Sequence, residues 1–269
     1  MTPAVIITTY NRPDALAAVI DGYLAQVDTN FELIVADDGS AADTGELVHR
    51  YAARASFPIR HVWQEDQGFR AAAARNRALA ATAADYIIFT DGDCIPRHDF
   101  VAQHCALAEP GCFLAGNRML LSENLTRKAL AQHLPLHDWG FLRWLALRLG
   151  GGINRWLPLL KLHDARWRNS NPQRWEGVKT CNLSAWRNDL VRVNGFDESY
   201  SGWGLEDSDL VIRLLHAGVR HKSARFAAPV LHLWHAENDR SRLPENRRRL
   251  EKLLASTNLH ARLGLDQYQ

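Results

Sequence analysis

Apolar and polar positions alternate in blocks along the first third of the chain. Residues 4–9, Ala-Val-Ile-Ile-Thr-Thr, are an unbroken apolar run ending in polar residues, the pattern of a strand buried on both faces. Arg12-Pro13-Asp14 then opens a stretch with Leu16, Val19, Ile20 and Leu24 at helical spacing, and Pro13 suits the first turn of that helix. Residues 31–36 predict a second buried strand closed by Asp37-Asp38-Gly39-Ser40, followed by a helix over about 43–54. A third strand is expected over 59–63, an alanine-rich helix over 69–84 and a fourth strand over 86–90, ending in Asp91-Gly92-Asp93. Further on, the pattern predicts a strand over 177–184, a helix over 208–217, a short strand over 227–231 and a helical tail from Pro244.

Strands that alternate with helices imply an α/β fold with a mostly parallel central sheet, Rossmann-like in layout. Three apolar strands end in polar clusters, at 8–12, 37–40 and 91–93. Ligands of open α/β sheets sit at the carboxyl ends of the strands, so the three clusters are expected to form one site. No glycine occurs before Gly22, so the first loop has neither the GxGxxG nor the GxxxxGK[ST] phosphate cradle.

The chain has 269 residues, with 46% hydrophobic and 23% charged positions, an ordinary composition for one large folded domain. Lys plus Arg is 32 against 30 Asp plus Glu, a net charge of +2, which argues against a nucleic-acid partner. No apolar run reaches the roughly 18 residues of a membrane span. Met1-Thr2-Pro3 leads into apolar residues without a basic stretch, so no secretory signal is read and a cytoplasmic location is expected. Cys94, Cys105, Cys112 and Cys181 have no CxxC spacing and are expected to be reduced thiols.

Four stretches carry candidate chemistry. Asp91-Gly92-Asp93 presents two carboxylates at a strand end, hard oxygen ligands for a divalent cation that bridges to a diphosphate. Asp37-Asp38-Gly39-Ser40 reads either as a capping turn or as a carboxylate that meets a nucleoside. Gly202-Trp203-Gly204-Leu205-Glu206-Asp207-Ser208-Asp209 sets a glycine-flanked aromatic before acids that enter a helix. The helix dipole explains one such acid; the whole string suggests a base for an acceptor hydroxyl. His232-Leu233-Trp234-His235 offers imidazoles that either hydrogen bond in the core or complete the coordination of a cation on Asp93.

In order, Thr8-Thr9-Tyr10-Asn11-Arg12-Pro13, Ala36–Ser40 and Asp91–Asp93 resemble the signature of family 2 inverting glycosyltransferases with the A-type nucleotide-sugar fold. Cys181–Ser184, Gly195-Phe196-Asp197-Glu198 and Gly202–Asp209 are similar to the C-terminal half of chondroitin polymerases and β1,4-galactosyltransferases. The resemblance covers roughly residues 4–121 and 176–240. It implies that Thr8, Tyr10, Arg12 and Asp38 line the nucleoside pocket, with Tyr10 stacked on the base. Gly68, Arg70, Arg75 and Asn76 would approach the diphosphate, and Asp91 and Gly92 the ribose or a metal-bound water. Asp93 would bind Mn²⁺ or Mg²⁺ together with His235 or His232, the choice being left open. Asp207 would be the catalytic base, Glu206 the neighbouring acid, and Trp203 with Gly204 the wall of the sugar pocket.

The implied reaction is a metal-dependent single displacement that moves a sugar from a nucleotide-sugar, UDP-linked before GDP or dTDP, to a hydroxyl of a glycan or glycolipid. Cell-surface polysaccharide such as lipopolysaccharide is the implied destination. The alternatives are a catalytically inactive carbohydrate- or nucleotide-binding relative and a sugar-nucleotide pyrophosphorylase. The latter needs a glycine-rich first loop that Thr8–Pro13 does not provide.

The expected organisation is a catalytic domain over 1–240 and a basic helical tail over 241–269. The domain divides into a nucleotide-binding part (1–121), a Trp/Arg-rich helical insertion (122–175) and an acceptor part (176–240). The insertion holds five of the nine tryptophans and nine Lys or Arg against three acids. Its segments 139–149 and 153–162 are expected to be two apolar helices hinged at Gly150-Gly151-Gly152. They would roof the acceptor cleft or also touch the inner face of the membrane, with Arg247–Arg249 of the tail adding attraction to anionic lipid.

Overall fold

In the computed structural model, which describes residues 1–268, a seven-stranded sheet forms the centre of the molecule. Its N-terminal half is a parallel α/β winding. It runs β1 (Pro3–Thr9), α1 (Pro13–Leu24), β2 (Glu32–Asp37), α2 (Ala42–Ala52), β3 (Ile59–Trp63), α3 (Ala71–Ala80) and β4 (Tyr86–Asp91). There follow β5 (Cys94–Pro96), α4 (Phe100–Leu107), β6 (Cys112–Ala115), which joins the central sheet, β7 (Arg118–Leu120), α5 (Glu123–Ala131) and α6 (Phe141–Leu149). The remainder is β8 (Asn182–Trp186), α7 (Arg187–Arg192), α8 (Glu206–His216), β9 (Arg220–Ser223), β10 (Val230–His232) and α9 (Leu243–Leu254). The strand order is β3-β2-β1-β4-β8-β6-β9, with β8 antiparallel to both neighbours.

The unbroken apolar strands are buried on both faces because helices cover both. Val5, Ile7, Leu33, Val35 and Ile88 point into one core, and Ala4, Ile6, Ile34, Ala36, Ile87 and Phe89 into the other. Helix α3 buries the four alanines Ala71–Ala74, whose small side chains let its backbone lie close to the sheet. Register aligns the polar strand ends: Thr8 lies opposite Asp91 of β4 and Ala36 of β2, and Thr9 lies opposite Asp37. A second sheet, β5-β10-β7, pairs β10 antiparallel to β5 with His232 opposite Cys94, which brings the His232 segment beside Asp93.

In the insertion, 141–149 is helical as expected, but 153–162 is not a second helix. Ile153 instead bridges to Leu121, and only Leu157–Leu159 forms a single 3₁₀ turn. Three glycines before it and the missing N–H of Pro158 remove the local basis for a helix. Trp144 anchors α6: it is fully buried, and its Nε1 donates to Trp139 O at 3.0 Å. Truncating a buried aromatic of this size costs about 3–5 kcal/mol. The return path is tied down by buried Arg168, which donates to the carbonyls of Ser223 (2.8 Å), Arg225 (2.7 Å) and Leu162. The strand expected over 177–184 starts only at Asn182 and runs to Trp186, and the one expected over 227–231 is Val230–His232.

Candidate active site

Arg75, on α3 and 4% exposed, joins three chain segments. Its Nε donates to Thr8 Oγ1 (2.9 Å), its Nη1 to Glu206 Oε1 (3.0 Å) and its Nη2 to Asp91 Oδ1 (3.2 Å). The guanidinium also lies 5.4 Å from the Phe196 ring centroid. Burial disfavours its charge, but Asp91 and Glu206 more than offset that and hold its pKa above the ordinary value. Burial pushes Glu206 up, and the Asp207 charge adds to this while Arg75 opposes it. Burial likewise raises Asp91, against Arg75. Glu206 Oε2 is buried with no hydrogen-bond partner, an unusual acceptor to leave open.

Leu205, immediately before this acid pair, has φ +78°, a left-handed conformation that costs a bulky residue about 1–3 kcal/mol. The surrounding loop holds it there. Asn246 of α9 donates to Ser201 O (3.2 Å) and Gly204 O (2.9 Å). Gly202 has φ +71°, and a Cβ there would meet Arg242 at 2.8 Å. Asp207 accepts from Ser208 N through Oδ1 (2.7 Å), and Lys179 Nζ lies 3.2 Å from its Oδ2.

The second loop carries the nucleoside candidates. Asp38 Oδ1 accepts from Gln64 Nε2 (2.6 Å) and Oδ2 from Arg70 N (2.7 Å). Burial raises its pKa to about 6 despite these bonds. Its neighbour Asp37 accepts from Ser40 N (2.8 Å) and contacts His61 Nε2 (2.8 Å), so it shapes the turn. Gly39, with φ +96°, packs so closely that a Cβ would lie 2.5 Å from Asp66 Cα. Asp66 in turn accepts from Tyr10 Oη (2.8 Å) and Gly68 N (3.0 Å). Tyr10, Gly68, Arg70, Tyr200, Trp203 and Arg242 line a cleft of ≈ 560 Å³. Arg240 stacks over the Trp203 ring at 5.0 Å.

The third cluster centres on Asp93, whose Oδ2 lies 3.4 Å from His235 Nε2 and 3.7 Å from His232 Nε2. A carboxylate with two imidazoles is a donor set that fits a divalent transition ion such as Mn²⁺. Cys94 is buried, and its thiol donates to Asp93 Oδ1 at 3.4 Å. Gly92 N donates to Thr8 O (2.7 Å), which fixes this loop to the end of β1.

Among the sequence candidates, the structure gathers Thr8, Arg75, Asp91 and Glu206 in one network. Asp93, His232 and His235 form a second group, and Tyr10, Gly68, Arg70 and Trp203 share one cleft. Arg12 does not join them; its Nε donates to Asp14 Oδ1 at 2.9 Å. Asn76, expected near the diphosphate, is fully buried and instead binds the backbone of Phe196, accepting from its N and donating to its O, both at 2.8 Å. Asp209 is likewise taken up by Arg213 Nε at 2.6 Å. Lys179, Gln64, Asp66 and Asn246 escaped sequence reading, since each is an isolated polar residue outside any patterned string.

Residues 4–164 match the family Glycosyl transferase family 2, and residues 162–236 match the family described as the N-terminal domain of galactosyltransferase. The chain belongs to glycosyl transferase family 2. It is 33% identical over 225 residues to validoxylamine A glucosyltransferase of Streptomyces hygroscopicus subsp. limoneus, covering 80% of this chain and 48% of that protein. It is 25% identical over 244 residues to the chondroitin synthase of Escherichia coli, covering 83% of this chain and 34% of that protein. It therefore spans about half or less of the length of these relatives. Residues 1-349 of S. aureus TarS, solved with UDP, superpose with a TM-score of 0.64 at 15% identity, over 100% of this chain and 68% of that one. The fold is thus the A-type glycosyltransferase fold expected from the sequence, and the likeness to chondroitin synthases and galactosyltransferases holds.

Proposed function

We propose that the protein is a metal-dependent, inverting glycosyltransferase that moves a sugar from a UDP-linked donor to a hydroxyl of a cell-surface glycan or glycolipid. The observation that carries this reading is the Arg75 network, which ties the ends of β1 and β4 to the acids that open α8. Nucleotide-end and acceptor-end residues thereby share one rigid frame, as transfer between two substrates requires.

In this reading Tyr10 and Asp38 receive the nucleoside, Asp38 as acceptor for a base N–H. Arg70 and Arg75 put positive charge toward the diphosphate. Asp93 with His232 and His235 would hold Mn²⁺ or Mg²⁺, which when bound supplies charge that stabilises the departing diphosphate. Asp207 takes the proton of the acceptor hydroxyl as that oxygen attacks the anomeric carbon, while Trp203 and Gly204 wall the sugar. One displacement inverts the anomeric configuration, and a base of this kind contributes about 10²–10⁴-fold. The acceptor is met at the inner face of the cytoplasmic membrane.

A panel of nucleotide sugars, assayed for nucleoside diphosphate release with and without Mn²⁺, tests the reading. Asp93→Ala should lose metal-dependent release, and Asp207→Asn should lose transfer yet keep nucleotide affinity by calorimetry. Equal loss of nucleotide affinity in both variants would reverse the assignment of roles.

A further inference from the structure

The insertion presents an apolar surface that the catalytic reading does not use. Helix α6 points Trp144 and Leu147 into the core, yet Leu142 and Leu149 are 78% and 84% exposed. With half-buried Leu145 and exposed Ala146 they occupy positions i, i+3, i+4 and i+7, one continuous stripe on the side away from Trp144. At helical spacing Arg143 and Arg148 fall on opposite flanks of that stripe. Phe141 packs edge-on against Trp156 at 5.4 Å, which joins the stripe to Leu157, 52% exposed. From Trp139 to Leu162 the chain carries Arg143, Arg148, Arg155 and Lys161 and no acidic residue. Lys161 is paired with Asp99, whereas among the described residues Arg148 and Arg155 have no ion-pair partner.

We infer that the outer face of α6 is a docking surface for an anionic lipid membrane. The charge complementarity is one-sided: a stripe of leucines bordered by Arg148, which has no ion-pair partner among the described residues, and by Arg143, which stacks over the Trp139 ring at 3.5 Å, suits acyl chains beneath negative headgroups, into which arginine stems extend while their charges stay at the headgroup level. A helix of nine residues is about 13 Å long and lies in the interface without crossing it. No helix of the described residues is long and apolar enough to cross a membrane. Trp144 supplies the rigid anchor that keeps the stripe outward, since its burial fixes the rotation of the helix. The inference deepens the membrane-side location in the proposed function and does not depend on the assignment of the catalytic residues.

Co-sedimentation of the full chain with phosphatidylcholine vesicles, with and without phosphatidylglycerol, tests it. Binding is expected to the anionic vesicles at low salt and to be lost at high salt. Arg143→Gln with Arg148→Gln should weaken it about thirtyfold, the effect of two charges near an anionic surface. Leu142→Glu with Leu149→Glu should abolish it with an unchanged circular dichroism spectrum, because both side chains face solvent. An environment-sensitive dye on Leu149→Cys, compared with the unsubstituted chain carried through the same labelling, should shift to the blue with anionic vesicles. Asp207→Asn should bind vesicles like the unsubstituted chain, which separates this inference from the catalytic one. Absence of binding to anionic vesicles at low salt, or binding that the leucine changes leave intact, would overturn it. So would self-association that replaces vesicle binding and depends on the same leucines, which would assign the stripe to a second copy of the chain.

Discussion

Arg75 donates a hydrogen bond to Glu206 at 3.0 Å across 131 residues of sequence, and the same guanidinium holds Asp91. Both ends of the Arg75–Glu206 pair are nearly shut off from solvent. Removing one partner of such a pair leaves an uncompensated buried charge, at a cost of about 3–5 kcal/mol. Arg75→Met should therefore lower the melting temperature by roughly 10 °C at neutral pH. Burial already holds Glu206 above the ordinary carboxylate range, so protonation in acid relieves the orphaned charge and the gap from the unsubstituted chain should narrow there. Thermal unfolding at several pH values measures both effects, and a gap that does not narrow would mean that packing, not charge, accounts for the loss.

Lys179 is the one cation paired with Asp207 among the described residues, at 3.2 Å from Oδ2. In the proposed reading it orients that carboxylate toward the acceptor hydroxyl. Lys179→Met should reduce transfer about tenfold and leave nucleotide affinity unchanged. A purely structural role would lower nucleotide affinity and the melting temperature along with transfer. Steady-state rates, paired with calorimetry on UDP and thermal unfolding, separate the two.

The parallel winding was legible in the sequence because β1, β2 and β4 are unbroken apolar runs that end in polar clusters and alternate with helices, the pattern of a doubly covered parallel sheet. The acids of α8 were legible as a string. What joins them was not. Arg75 sits in an alanine-rich helix where an arginine ordinarily faces solvent, and only the close approach of Ala71–Ala74 to the sheet turns it inward. The insertion misled for a related reason: the apolar content of 153–162 suggested a helix, but Pro158 and the glycine triplet leave it extended around one 3₁₀ turn.

In the proposed reading Asp38 links nucleoside recognition to pH. Burial raises its pKa to about 6, above its value in the unfolded chain. The stability it contributes is thus fully present below the ordinary carboxylate range and is lost as pH rises through about 6. Protonation turns one of the two accepting oxygens into a donor and weakens acceptance of a base N–H, so nucleoside affinity moves the opposite way. Uridine, which has no phosphate to titrate, should bind roughly tenfold more weakly at pH 5 than above pH 7. Asp38→Asn should flatten that profile, and equal slopes in the two proteins would remove Asp38 from the nucleoside site.

The proton positions around His104 follow from its neighbours. Asn182 Nδ2 donates to the carbonyls of Asn117 (2.9 Å) and Ala228 (2.6 Å), so its Oδ1 faces His104 Nε2 as an acceptor at 3.1 Å. Nε2 must then carry the proton, and Nδ1 accepts from Ser184 Oγ at 2.7 Å. Ser184 Oγ, its one proton committed, accepts from Tyr86 Oη at 2.8 Å. This chain crosses from β4 through β8 and α4 to the segment that leads into β10, and so supports the placement of His232. It is satisfied only with His104 neutral, and burial lowers the histidine pKa to about 4. Because the folded value lies below the unfolded one, the stabilisation is fully present above about pH 6.5 and is lost as pH falls toward 4, by about 3 kcal/mol. Urea unfolding between these limits should show that slope, and His104→Gln, which has no proton to gain, should remove it. Nitrogen chemical shifts of His104 should report the Nε2–H form throughout the range in which the protein stays folded. A doubly protonated ring near pH 6 would break the proposed order of donors.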